Sequence, residues 1–138
     1  MGNAHKRAAV KLRAEPFEIP HARQFVAATL VDWQLDSLVS EAELLTSETV
    51  TNAIMHGEEP IELHVTHLGD RLRVAVRDDS SEMPTRSGLP DRYATGGRGV
   101  AIVQAIAADF GITTVEHVGP RHDSKDVWFE ISIPPEQG

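Results

Sequence analysis

Ser47-Glu48-Thr49-Val50-Thr51-Asn52-Ala53-Ile54-Met55-His56-Gly57 is the stretch from which the rest of the chain can be read. It reads as the end of a helix in which polar residues stand among apolar ones. Glu48, Asn52 and His56 are spaced four apart. At about 100° per residue they drift by only roughly 40° per step and share a face. Leu44, Leu45, Val50, Ala53, Ile54 and Met55 spread around the remaining surface, which predicts a largely buried helix. No lysine or arginine lies between Arg23 and Arg71 to pair with Glu48 from nearby in sequence. A carboxylate and an amide buried together cost desolvation energy unless something satisfies them, and a ligand or a metal is one such partner.

Upstream, Asp36 or Ser37 can cap this helix, which runs through Leu38, Ala42 and Leu45. Gly57 sits where a C-terminal glycine belongs. Pro20 can open an earlier helix from His21 to about Trp33, with Ala22, Phe25, Val26 and Leu30 facing inward. Glu15-Pro16-Phe17-Glu18-Ile19 is short and alternating, and its proline makes it an edge strand. Met1 to Arg13 carries Lys6, Arg7, Lys11 and Arg13 but no apolar segment of a secretory signal. It reads as a mobile tail, leaving residues 14–138 as a single domain.

Downstream, Ile61, Leu63 and Val65 alternate with polar residues, as do Leu72, Val74 and Val76. Leu68-Gly69-Asp70 between them predicts a β-hairpin. Asp78 to Arg98 has no regular period and contains Pro84, Gly88, Pro90, Gly96 and Gly97, so it reads as a long loop of functional kind. Val100 to Phe110 predicts a strongly apolar helix closed by Gly111. Ile112–Val118 and Val127–Ile133 predict two further strands joined through Gly119-Pro120. The sum is an α+β fold: a two-layer α/β sandwich of about three helices on a mainly antiparallel mixed sheet.

Composition sets outer bounds. The 138 residues suffice for one domain with a real core and are too few for two comfortable ones. A formal net charge of −8 argues against nonspecific nucleic-acid or anionic-membrane binding as the main task. Cysteine is absent, which excludes disulfides, thiolate metal sites and a cysteine nucleophile. No apolar run is long enough to span a bilayer, so a cytoplasmic protein is the default.

Three groups could carry chemistry. Thr95-Gly96-Gly97-Arg98-Gly99-Val100 runs directly into the apolar helix. Glycines let the backbone approach a ligand closely, and a helix N-terminus favours phosphate. Arg98 adds a positive charge, with Arg86 and Arg92 upstream. The plainer reading of this run is a flexible linker, and it matches neither a P-loop nor a dinucleotide-binding fingerprint. Asp78 and Asp79 end the second hairpin strand. They are either turn formers or acceptors for an exocyclic amine at a pocket mouth. Glu48 could be a general base and Asn52 could offer its amide oxygen to a hard cation such as Mg²⁺, or the two could be a satisfied polar pair. His56 reads as structural. His64 and His67 fall on opposite faces of one strand and make poor joint ligands, and His117 and His122 flank a turn. No zinc site and no hydrolase triad is assigned.

The order of these pieces resembles the ATP-binding domain of the GHKL superfamily, the Bergerat fold. The likeness is closest to the small stand-alone branch of bacterial anti-sigma-factor serine/threonine kinases and their actinobacterial relatives. Glu48 to Gly57 looks like the N box, and Val76 to Pro84 like the adenine-binding box. Gly96 to Val103 looks like the glycine box, and Lys125-Asp126-Val127-Trp128-Phe129-Glu130 like the final strand. The likeness runs from about Phe17 to Pro134.

The resemblance implies roles. Asn52 would coordinate the Mg²⁺ that bridges the ATP phosphates. Glu48 would activate the serine or threonine hydroxyl of a protein substrate. Asp78 would accept the adenine amine. Gly97 and Gly99 would present backbone N–H groups to phosphate, with Arg98 beside them, and residues 85–97 would form a lid. The implied substrate is an anti-anti-sigma factor of the STAS type, the implied second partner is a sigma factor, and a homodimer is implied as well. Ser80 and Asp126 stand where the family often has glycine and threonine, and a carboxylate at Asp126 would repel phosphates unless it points away. The reading is therefore an ATP-binding anti-sigma factor with kinase activity. The alternative is a non-catalytic, nucleotide-responsive interaction module, and a purely structural domain is the third reading.

Overall fold

A computed structural model describes residues 6–56, 59–79, 107–115 and 124–135. Among them the order is β1 (Arg7–Leu12), α1 (Glu18–Asp32), a short 3-10 helix (Asp36–Leu38), α2 (Val39–His56), β2 (Ile61–His67), β3 (Arg71–Asp78), β4 (Asp109–Val115) and β5 (Ser124–Ser132). The five strands form one sheet in the order β1-β2-β3-β5-β4, and every pairing is antiparallel. The α+β two-layer fold is thus present, with two α-helices among the described residues.

Period-two alternation explains the layering. Leu63, Val65, Leu72, Val74, Val76, Phe129 and Ile131 point to one side and are buried there. The register sets Leu63 opposite Val76, and Val74 between Val65 and Phe129. The helices cover this side. Helix α1 contributes Ala22, Val26 and Leu30, one turn apart, as its inward residues. Helix α2 contributes Ala42, Leu45, Thr46, Thr49, Val50 and Ala53, a stripe at helical spacing. Two of those stripe positions are threonines, and Thr49 satisfies its hydroxyl by donating to the carbonyl of Leu45 at 2.8 Å. The stripe is narrower than the sequence predicts: Leu44 and Met55 are exposed, Met55 at 69%.

Four further expectations are corrected. Arg7–Leu12 is no tail but an edge strand, paired with β2 from Arg7 opposite Thr66 to Leu12 opposite Ile61. Its basic residues alternate with Ala8, Val10 and Leu12, and Leu12 is buried. Glu15–Ile19 is not a strand. The amides of Glu18 and Ile19 donate to the carbonyls of Glu15 and Pro16, a turn that runs into α1. Pro20 falls in that helix's first turn, where a missing N–H costs nothing. Helix α2 has no side-chain cap at Asp36 or Ser37, because those residues form the 3-10 turn that feeds it.

Gly111 closes no helix; it pairs with Trp128 inside the sheet. A Cβ at 111 would come within 2.9 Å of the Trp128 ring, so the glycine lets the indole lie across the neighbouring strand. Residues 100–106 of the expected helix, the turn at 119–120 and Gly57 lie outside the described residues. The hairpin turn is as expected, with Gly69 at φ +97, a conformation that favours glycine.

Candidate functional site

The last turns of α2 carry the first part of the site. Glu48 and Asn52 are one turn apart on the flank of the buried stripe, and both are half-buried. The Asn52 amide nitrogen donates to the backbone carbonyl of Glu48 at 2.8 Å. That bond fixes the orientation of the amide, because a carbonyl accepts only from the NH₂ end. The amide oxygen is the end left over, and it is the atom a hard cation would take. Arg23 of α1 donates to the hydroxyl of Ser47, the residue before Glu48, at 3.3 Å.

The second part is the end of the sheet. Asp78 continues the inward series of Val74 and Val76, so its carboxylate lies on the helix side, 1% exposed. Its cross-strand partner is Lys125. Lys125 continues the inward series of Val127 and Phe129, is fully buried, and brings Nζ to 3.5 Å from Asp78 Oδ1. Next to it, Ser124 donates to Asp79 Oδ1 at 3.1 Å. Helix α2 lies over β3 and β5. It hands the chain to β2 at the same end, where Glu62 pairs with Arg77. Glu48 and Asn52 thus lie on the flank of the helix that packs over β3 and β5, and Asp78 lies on the side of the sheet that this helix covers.

Asp126 answers the question its sequence position raises. It points to the opposite, helix-free face. There Arg77 grips it with two bonds, Nε to Oδ1 at 2.7 Å and Nη2 to Oδ2 at 3.1 Å. The Asp126 hydrogen bonds raise the already high pKa of Arg77, opposed by partial burial. A carboxylate so held faces away from any phosphate on the helix side.

The same open face carries Arg71 and Arg73 against Glu130 and the Arg73 guanidinium 4.2 Å from the Trp128 ring centroid. It also holds a shallow depression of about 410 Å³ lined in part by Arg7, His64, Arg73 and Arg77. That depression belongs to the charged face, across the sheet from Asp78.

Gly97, Arg98, Gly99, Ser80 and residues 85–97 lie outside the described residues, as does the side chain of His56. Lys125 has no role in the sequence-based assignment. The signal was present: a lysine two residues before Val127 and four before Phe129 occupies an inward position, where a charge requires a partner. Among the described residues no cluster of three or more histidine, aspartate or glutamate side chains could hold a metal by itself. Asn52 would therefore share a Mg²⁺ with the oxygens of its ligand, which suits a cation that keeps few protein ligands.

A family model described as the histidine kinase-like ATPase domain matches residues 12–121. The chain belongs to that family. The match takes in Glu48, Asn52, Asp78 and Gly97 to Gly99. Membership makes this an ATP-binding domain. No curated protein matches the sequence. No helix among the described residues is long and apolar enough to cross a membrane.

Proposed function

We propose that this ATPase domain is an anti-sigma factor with serine/threonine kinase activity toward a STAS-type anti-anti-sigma factor. The observation that supports it is the pair on α2: Glu48 and Asn52 one turn apart, with the amide locked by its own helix and both side chains half-buried. In this reading Asn52 holds Mg²⁺ against the ATP phosphates and Asp78 holds the adenine amine. Glu48 takes the proton of the substrate hydroxyl as its oxygen attacks the γ-phosphorus. The bond to the ADP oxygen breaks, and Arg98 with the backbone N–H groups of Gly97 and Gly99 would meet the leaving charge; the Mg²⁺ that Asn52 would hold would supply further neutralisation. Such chemistry rests on positioning and charge neutralisation, which a small residue set can supply. The partner bound in the alternative state is a sigma factor, engaged by a monomer or a homodimer in the cytoplasm.

Glu48→Gln tests the kinase claim. Incubation with Mg-ATP and the cognate STAS protein should give phosphoserine or phosphothreonine with the wild type. The variant should retain ATP and lose transfer by at least about a hundredfold. Absence of transfer by the wild type, despite measured ATP binding, would leave a nucleotide-responsive interaction module in its place. Asp126, which strand parity sets on the other face, pairs there with Arg77 and so weakens one of the two sequence features favouring that module.

A further inference from the structure

Strand β1 is the outermost strand of the sheet, and among the described residues no strand pairs with its other side. The amide of His67 donates to the carbonyl of Lys6 at 2.9 Å, which makes Lys6 and His67 a hydrogen-bonded pair. Antiparallel pairing alternates. Ala8, Val10 and Leu12 therefore also turn their backbone groups to β2, while the N–H and C=O of Arg7, Ala9 and Lys11 point outward. We infer that this edge is a docking site for an extended acidic segment of a partner protein. The segment adds to the sheet as a further antiparallel strand and sets two carboxylates, four residues apart, against Arg7 and Lys11.

Charge selects this occupant. Arg7 and Lys11 are exposed at outward positions of β1, and no acidic residue precedes Glu15 in a chain of net charge −8. Beside them in β2 stand Thr66 and Glu62, and Glu62 is bonded to His64 at 2.9 Å. A second copy fits poorly. Antiparallel overlap of two β1 edges centred on Ala9 sets Arg7 against Lys11 at both ends, and like charges directly opposite destabilise a strand pair. A basic edge guards against self-association, and the same charges attract an acidic strand.

Packing adds a second, independent argument. Ala8 and Val10 face the helix side but are only half-buried, whereas Leu12 is buried. Apolar side chains between the two acids of an added strand would lie beside Ala8 and Val10 and cover them. In strand addition, main-chain bonds give affinity and alternate side chains give specificity.

The probe is an end-blocked synthetic peptide, Thr-Glu-Val-Thr-Val-Glu-Thr, titrated into the full chain by NMR. Saturable binding is expected below about 1 mM. The outward amides of Arg7, Ala9 and Lys11 should gain at least about tenfold protection from hydrogen exchange. The same peptide with lysine for both glutamates should bind at least about tenfold more weakly. The double variant Arg7→Glu, Lys11→Glu should invert that preference, a gain that misfolding would not give. No binding of the glutamate peptide by about 1 mM overturns the inference. So does binding without protection of the outward amides, equal binding of the two peptides by the wild type, or a folded double variant that still prefers the glutamate peptide. Protection of those amides that rises with protein concentration, without peptide, would show a second copy on the edge and also overturns it.

Discussion

Asn52 fastens its amide to the helix that carries it, and this separates its structural role from its proposed one. The nitrogen end is satisfied by the carbonyl of Glu48, so truncation removes a local bond of the helix. Asn52→Ala should leave the circular dichroism spectrum unchanged and weaken Mg-dependent nucleotide binding at least about tenfold, or 1.4 kcal/mol. Unchanged affinity would reduce Asn52 to a satisfied helical amide.

A second residue-scale effect concerns pH. Glu18 accepts the backbone N–H of Arg13 at 2.8 Å and pairs with His21 at 2.8 Å. The bond from Arg13, then that from His21, holds its pKa below the ordinary value. A folded value below the unfolded one contributes stability above the unfolded pKa and loses it as pH falls through the folded value. Urea melts of wild type and Glu18→Gln should therefore differ at neutral pH and converge in the acid range below the ordinary carboxylate value. A difference that persists there would mean the carboxylate charge is not what Glu18 contributes.

At the scale of elements, the edge strand β1 makes the sharpest prediction. Deleting residues 1–12 removes Leu12 from the core and leaves the backbone of β2 unpaired along six positions. Loss of that buried side chain should cost at least about 2 kcal/mol in a urea melt, and the exposed edge should promote association in size-exclusion chromatography. A mobile tail would give no change in either.

The strand was hard to read because four basic residues in the first thirteen dominate the composition, while only Ala8, Val10 and Leu12 carry the alternation. Helix α1, the β2–β3 hairpin and the inward series of β3 were legible, because their periods of 3.6 and two run long enough to be distinguished. Gly111 was misread for a physical reason: glycine ends helices and also admits a neighbouring indole, and only the position of Trp128 in the next strand decides between them. The exposure of Leu44 and Met55 depends on how α2 rolls against the sheet, which hydrophobicity alone does not fix.

Over the whole molecule, the helices cover one face of the sheet and ion pairs occupy the other. Lys11, Glu62, Arg77, Asp126 and Thr113 stand in register across all five strands. The two faces divide the acidic and basic residues of the last strands between different tasks: Asp78 and Lys125 inward, Arg77 and Asp126 outward. Sequence order named Glu48, Asn52 and Asp78. It did not reveal that Asp126 turns away or that Lys125 turns in, since both follow from the parity of a strand whose start the sequence did not mark.

The central claim is that an ATP site lies at the end of the sheet under α2, with Asp78 as its base acceptor. Calorimetric titration of Mg-ATP into wild type and Asp78→Asn, side by side, tests it most directly. The account predicts saturable one-to-one binding by the wild type and affinity weaker by at least about tenfold in the variant, the loss of a hydrogen bond to a charged group. Equal affinities, or no binding by the wild type, would contradict it.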